Sequence, residues 1–166
     1  MASITHKGNP VTTTGELPLK GSKAPEFRLT KTDLADVGLK DFAGKKKVLN
    51  IVPSLDTGTC AASAMKFNDQ VKNRADVVVL TISADLPFAA KRFCEANGIS
   101  NVVTLSMLRD RKFGQDYGVT LVSGVLEGLL SRAVVVLDES NTVVYTEQVP
   151  EISQEPNYDA VWRALG

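Results

Sequence analysis

The segment Val48-Leu49-Asn50-Ile51-Val52-Pro53-Ser54-Leu55-Asp56-Thr57-Gly58-Thr59-Cys60 decides how this chain is organised. Its first five residues are strand formers, and Pro53, which has no N–H to give to a ladder, ends the strand. A loop over Pro53–Thr59 leads into a helix from about Cys60 to Lys72. Cys60, Ala64, Phe67 and Val71 fall at i, i+4, i+7 and i+11, so they share one face, and the cysteine opens the helix on its buried side. The next apolar run, Val77 to Ile82, has the length and continuity of a central strand covered on both faces. Strand, helix and strand at this spacing predict a βαβ unit with a right-handed crossover.

Working outward, Asp85 is expected to cap a second helix, with Pro87 in its first turn and Gly98 as its stop. Leu86, Ala89, Ala90, Phe93 and Ala96 form its apolar stripe, with Cys94 beside that stripe. A short strand over Val102–Leu105 and a short helix over Arg111–Tyr117 follow. Ala133–Leu137 and Thr142–Tyr145 form a hairpin, and a helix over Tyr158–Leu165 closes the chain, turning Tyr158, Val161, Trp162 and Leu165 inward. Upstream, the Thr-, Gly- and Pro-rich start reads as a hairpin and loop through Pro18 and Pro25, with a short strand at Phe27–Thr30. Lys45-Lys46-Lys47 reads as a solvated turn before the strand. The expectation is one α/β domain over residues 1–166, with a central mixed β-sheet flanked by helices and residues 1–15 as a hairpin extension or tail.

The 166 residues, 43% hydrophobic and 23% charged, suit one soluble globular domain with a real core. Nineteen basic residues balance nineteen acidic ones, so charge gives no reason to expect nucleic acid or an anionic membrane as partner. No apolar stretch approaches the roughly 20 residues that span a bilayer, so no membrane insertion is expected. Met1 to Pro10 lacks the apolar segment of a signal peptide, which makes the chain read as cytoplasmic. There the two cysteines, Cys60 and Cys94, are kept reduced and are better read as reactive than as structural. The one histidine, His6, lies in the N-terminal tail, which removes most zinc sites and any histidine base. No cofactor is expected.

A free thiol is only a few per cent thiolate at neutral pH. At a helix N-terminus, unpaired N–H groups and the positive dipole end favour the anion, and a nearby arginine adds to this. Thr57, three residues before Cys60, can place its hydroxyl at the sulfur or at an incoming oxidant, and Pro53 can shield it. Spacing alone leaves a buried core cysteine equally open. It also leaves Arg132 as a partner for Asp138 or Glu127, Thr57 as a cap, and Cys94 as packing.

Pro53, Thr57 and Cys60 in a Pro-x-x-x-Thr-x-x-Cys pattern resemble the active-site motif of the peroxiredoxins. The flanks Asn50 to Thr57 and Cys60-Ala61-Ala62-Ser63, with Asp85-Leu86-Pro87-Phe88-Ala89, Arg92-Phe93-Cys94 and Arg132 to Asp138, resemble the atypical two-cysteine thiol peroxidase branch. The resemblance runs from about residue 15 to the C-terminus. It implies a thioredoxin-like fold and reduction of hydrogen peroxide and organic hydroperoxides. Cys60 would be the peroxidatic cysteine and Cys94 the resolving one. Thr57 and Arg132 would hold the peroxide, and Pro53 would shield the site. The resemblance also implies an intramolecular disulfide in the cycle, recycling by thioredoxin, a homodimer and no cofactor. Ala64-Met65 and Ser123-Gly124-Val125 depart from the branch's usual pattern, which bears on substrate range and assembly. A redox sensor and a binding module whose cysteines only pack are the competing expectations.

Overall fold

The computed structural model describes residues 1–166, and in it strands and helices alternate along most of the chain. It begins with an antiparallel hairpin, β1 (Ser3–His6) and β2 (Asn9–Thr12). There follow β3 (Leu29–Lys31), β4 (Asp36–Val37), β5 (Lys46–Ile51), α1 (Gly58–Gln70), β6 (Val77–Ser83), α2 (Pro87–Asn97) and β7 (Val103–Ser106). The last elements are α3 (Lys112–Asp116), β8 (Ala133–Leu137), β9 (Val143–Gln148) and α4 (Tyr158–Leu165). The seven strands from β3 to β9 make one sheet in the order β4-β3-β7-β6-β5-β8-β9, parallel at β5–β6–β7 and antiparallel elsewhere. This is the thioredoxin-like mixed sheet expected from the sequence, with the separate N-terminal hairpin.

Side-chain alternation sorts the sheet's two faces. Val48, Val79, Val134 and Val136 face α1 and α4, where they meet Phe67, Val71, Val161 and Leu165. Leu49, Ile51, Leu80, Ile82, Val135 and Leu137 point the other way and pack with Phe27, Phe113 and Tyr117. Each such buried aliphatic or aromatic side chain contributes roughly 1.5–3 kcal/mol of transfer free energy, so the two layers hold β5, β6 and β8 rigidly. That rigidity matters, because it fixes the strand ends from which the loops into α1 and α2 start. The far end of α1 is also tied down: Trp162 Nε1 donates to Gln70 Oε1 at 2.6 Å, and Phe67 packs edge-on to Tyr158 with ring centroids 5.1 Å apart.

Four expectations need correction. The lysine run is no solvated turn: Lys46 and Lys47 begin β5, and Lys47 is fully buried with its Nζ donating to Lys45 O at 2.8 Å. Pairing with Leu137 of β8 and Val78 of β6 draws the strand back into the run. His6 lies within β1 and not in a tail outside the fold, because the hairpin packs Ile4 and Val11 against Leu121 and Ile152. Asp85 does not cap α2, whose N-cap is Leu86 and has no side-chain capping bond. The inward face of α2 is Pro87, Ala90, Phe93 and Cys94, so Ala90 and Phe93 of the expected stripe face inward while Leu86, Ala89 and Ala96 are exposed. Small differences remain at element ends: the strand expected at Phe27–Thr30 is Leu29–Lys31, and α1 begins two residues earlier.

Candidate active site

The Val52 N–H still bonds to Ile82 O at 3.0 Å, and then the buried Pro53 stops the ladder and turns the chain away from the sheet. Three bonds to one carboxylate fix the loop that follows. Asp85, in the turn after β6, accepts from Ser54 Oγ at 2.7 Å, from Leu55 N at 2.8 Å and from Ser83 Oγ at 2.7 Å. Asp85 therefore joins the β5–α1 loop to the β6–α2 turn. Periodicity points to an aspartate before a Pro-initiated helix as a cap, and only the loop's return past β6 reveals the other role.

Thr57 has extended backbone and is the N-cap of α1. Its hydroxyl accepts from Cys60 N at 3.4 Å and donates to Ser54 O at 3.3 Å. The structure thus shows Thr57 in the cap role, with its hydroxyl on the backbone N–H of Cys60. Cys60, at the third helical position, is fully buried with Val52, Leu55, Ala64, Ala90 and Ile99 around it. Beneath the first turn, Ser63 Oγ donates to Cys60 O at 3.0 Å and is itself met by Asn50 Nδ2 at 3.4 Å, so a polar link ties α1 to β5. Asn50 and Ser63 stand in the flanks of the motif, yet spacing gives them no role.

Arg132, just before β8, is only 2% exposed. Its Nη2 lies 3.1 Å from Cys60 Sγ, its Nε donates to Ile152 O at 2.6 Å, and its Nη1 is buried without a partner. Neither Asp138 nor Glu127 pairs with it. Asp138 instead accepts from Ser140 and Thr142 in the β8–β9 turn. A buried cation with no carboxylate partner is costly. Here the group that faces the guanidinium is the Cys60 sulfur. Beside the site, burial pushes the Tyr158 phenol well above its ordinary range, a hydrogen bond to Glu155 adds to this, and Arg132 opposes it.

The sheet therefore brings Pro53, Thr57, Cys60 and Arg132 to one end of β5 and β8. Cys94 comes in from α2: it is half-buried, lies 3.2 Å from Thr104 Oγ1 and packs against the same cluster that encloses Cys60. Both cysteines are free thiols. The stripe that α2 leaves open, with Ala89, Arg92, Phe93 and Ala96, forms with Leu55 and Asp56 a groove of about 460 Å³ outside the loop. No helix is long and apolar enough to cross a membrane.

Comparison with known proteins bears on this arrangement. The Redoxin family model matches residues 19–162. Thiol peroxidases of Mycobacterium tuberculosis and Mycobacterium bovis are 51% identical over 166 residues, covering 100% of this chain and 99% of theirs. A peroxiredoxin-like protein from Aquifex aeolicus superposes with a TM-score of 0.93 at 40% identity, covering 99% of this chain and 96% of that one. A thiol peroxidase from Chromobacterium violaceum has the same fold, with a TM-score of 0.91 at 24% identity over 98% of this chain and 94% of its own.

Proposed function

The chain belongs to the Redoxin family and is a thiol peroxidase of the peroxiredoxin type, and we propose that it reduces hydrogen peroxide and organic hydroperoxides to water and alcohols with Cys60 as the attacking thiolate. The observation that carries this assignment is the 3.1 Å contact between a buried, otherwise uncompensated guanidinium and Cys60 Sγ. In the first step the thiolate sulfur attacks the distal oxygen of ROOH. The O–O bond breaks, the distal oxygen stays on Cys60 with its hydrogen as the sulfenic acid, and the departing RO⁻ takes up the proton that the thiol released on ionising and leaves as ROH. The free N–H of Arg132 Nη1 is available to the peroxide oxygens as charge builds on the leaving one. Thr57 holds the peroxide beside it, and Pro53 keeps water from the sulfur.

In the second step the Cys94 thiol condenses with the sulfenic acid, an S–S bond forms and water leaves. A dithiol partner, thioredoxin, restores both thiols by exchange. Cys60 is 0% exposed in the reduced chain, so the second step requires the first turn of α1 and the loop before it to open. The disulfide further requires Cα atoms within about 7 Å, which calls for α2 to loosen around Cys94. Exposed Leu86 and Phe88 at the start of α2 offer apolar surface beside the loop, in keeping with alkyl and lipid hydroperoxides as substrates. A cytoplasmic setting and a homodimer complete the proposal, in keeping with the chain's likeness to peroxiredoxins.

The test is intact mass and free-thiol count before and after one equivalent of cumene hydroperoxide at pH 7 without reductant. A loss of about 2 Da with both thiols consumed fits the cycle. A gain of about 16 Da with Cys94 still free assigns sulfenate formation but removes Cys94 as its resolver. An unchanged mass overturns the proposal.

A further inference from the structure

Arg132 owes its position to a loop outside its own strand. Its Nε donates to the carbonyl of Ile152, and that carbonyl belongs to the segment between β9 and α4, which the N-terminal hairpin holds. Thr5 N donates to Pro150 O at 2.8 Å, and Ile152 N donates to Thr5 O at 2.8 Å, so β1 adds as a short parallel strand to this segment. Ile152 then packs with Ile4, Val11 and Leu121.

Glu151 sits at the centre of the contact. Oε1 accepts from Lys7 N at 2.9 Å and from Ser153 N at 3.1 Å. Oε2 accepts from Thr5 Oγ1 at 2.7 Å and from Gly8 N at 3.1 Å, and Ser153 Oγ also donates to Oε1. Two of these donors are the backbone amides of the hairpin turn, where Lys7 and Gly8 stand at φ of 51° and 79°. Hydrogen bonds from Ser153 and Thr5, then from those amides, hold the carboxyl far below the range of an ordinary glutamate. On the other side of the segment, Ser153 O accepts from Thr59 Oγ1 at 3.0 Å, next to Cys60 in the first turn of α1. One carboxylate thus locks the hairpin to Ser153, in a segment that touches both Arg132 and α1.

We propose that Glu151, acting with the β1–β2 hairpin, is a positioning residue for the peroxidase centre: it fixes the Ile152 carbonyl, and through it the guanidinium that meets Cys60 Sγ. The inference rests on the assignment of Cys60 and Arg132 above. A displacement of the reacting geometry by about 1 Å can cost on the order of a hundredfold in rate, so a loosened carbonyl is expected to be visible in kinetics.

The experiment compares Glu151→Gln, Arg132→Lys and the double variant in the full chain. Two quantities are read: the second-order rate constant with hydrogen peroxide, and the pH midpoint of Cys60 alkylation by iodoacetamide in a Cys94→Ser background. Gln turns an NH2 group toward donors that the carboxylate accepts, so Glu151→Gln is expected to lose roughly tenfold in rate and to move the alkylation midpoint upward. In the Arg132→Lys background it should add less than about twofold, because the two substitutions act through one contact. If Glu151→Gln does not fold, Thr5→Val, which removes a single hydroxyl bond to the carboxylate, is read the same way with a smaller loss. The inference is overturned if the rate and midpoint stay at wild-type values whatever the change in Tm, or if the full loss recurs in the Arg132→Lys background. An Arg132→Lys protein with an unchanged rate would instead undo the assignment of the site itself.

Discussion

Asp85→Ala tests how the loop in front of Cys60 is held. The wild-type carboxylate accepts three hydrogen bonds, from Ser54 Oγ, Leu55 N and Ser83 Oγ. At about 1.5–3 kcal/mol per bond to a charged group, the naive total is roughly 5–9 kcal/mol. That total is too large, because water can replace the carboxylate where the donor stays near solvent, as Ser54 does. Leu55 and Ser83 are 2% and 1% exposed, so their N–H and O–H are the donors stranded by the substitution. Each orphaned buried donor costs about 1–3 kcal/mol. The truncated side chain leaves room for a water between them, which favours the lower end, so we expect a loss of about 2–3 kcal/mol. In urea that corresponds to a midpoint lower by about 1 M, for a slope of about 2–3 kcal/mol/M. The same change should free the loop that covers Cys60. Native-state alkylation of Cys60 by iodoacetamide should accelerate while the rate with peroxide falls, because access improves and geometry is lost. A destabilisation below about 0.5 kcal/mol with unchanged alkylation would show that the carboxylate does not hold the loop.

The buried Lys47 and two glycines give further predictions. Burial lowers the Lys47 pKa, and Asp138 and Glu139 oppose this only in part. The folded chain therefore binds this proton less tightly than the unfolded one. Its cost to stability is fully present below the folded-state value and is relieved as pH rises through it toward the ordinary value near 10.5. Lys47→Met should raise Tm by roughly 2–4 °C at pH 7, and the advantage should shrink in alkaline buffer. An advantage that grows with pH would contradict the assignment. Gly118 stands at φ +68°, and a Cβ there would lie 2.2 Å from Glu16 O, so Gly118→Ala should cost more than about 3 kcal/mol. Gly98 stands at φ +64° with open space around it, so Gly98→Ala should cost only about 1–2 kcal/mol in the same thermal unfolding assay. Equal losses at the two sites would mean that backbone conformation, and not the contact with Glu16, decides both.

Local pattern carried most of the fold. Val77 to Ile82 read as a central strand because both of its faces are apolar, and β6 is central because helices and loops cover both faces of the sheet. The helix after Pro53 was legible for a similar reason, since its stripe from Cys60 to Val71 matches a face that is buried in fact. Pattern failed where tertiary contact overrides local preference. Three lysines in a row carry the charge of a solvated turn, yet neighbouring strands on both sides pull Lys47 under cover. On α2 the small alanines fit either face, so periodicity placed Ala90 and Phe93 inward but could not tell that Pro87 and Cys94 join them while Ala89 and Ala96 stay exposed. The placement of Arg132 was legible only through resemblance, because nothing local distinguishes an arginine aimed at a sulfur from one paired with Asp138. Asp85 and Glu151 were out of reach altogether, as both act on backbone amides distant in sequence.

The chain contains a single tryptophan, Trp162. Its indole is bonded to Gln70, the last residue of α1, while Cys60 lies at the other end of that helix, about 15 Å away along the axis. The molecule therefore carries one indole, selectively excited above the tyrosine band, anchored to the far end of the element that must open. If only the first turn unwinds when Cys60 reacts, the emission stays constant throughout the cycle. If α1 swings or slides as a rod, the Trp162–Gln70 bond and the contact with Phe67 are disturbed and the emission changes at the rate of opening. A stopped-flow trace at one wavelength thus separates fraying from rigid-body movement with no label attached.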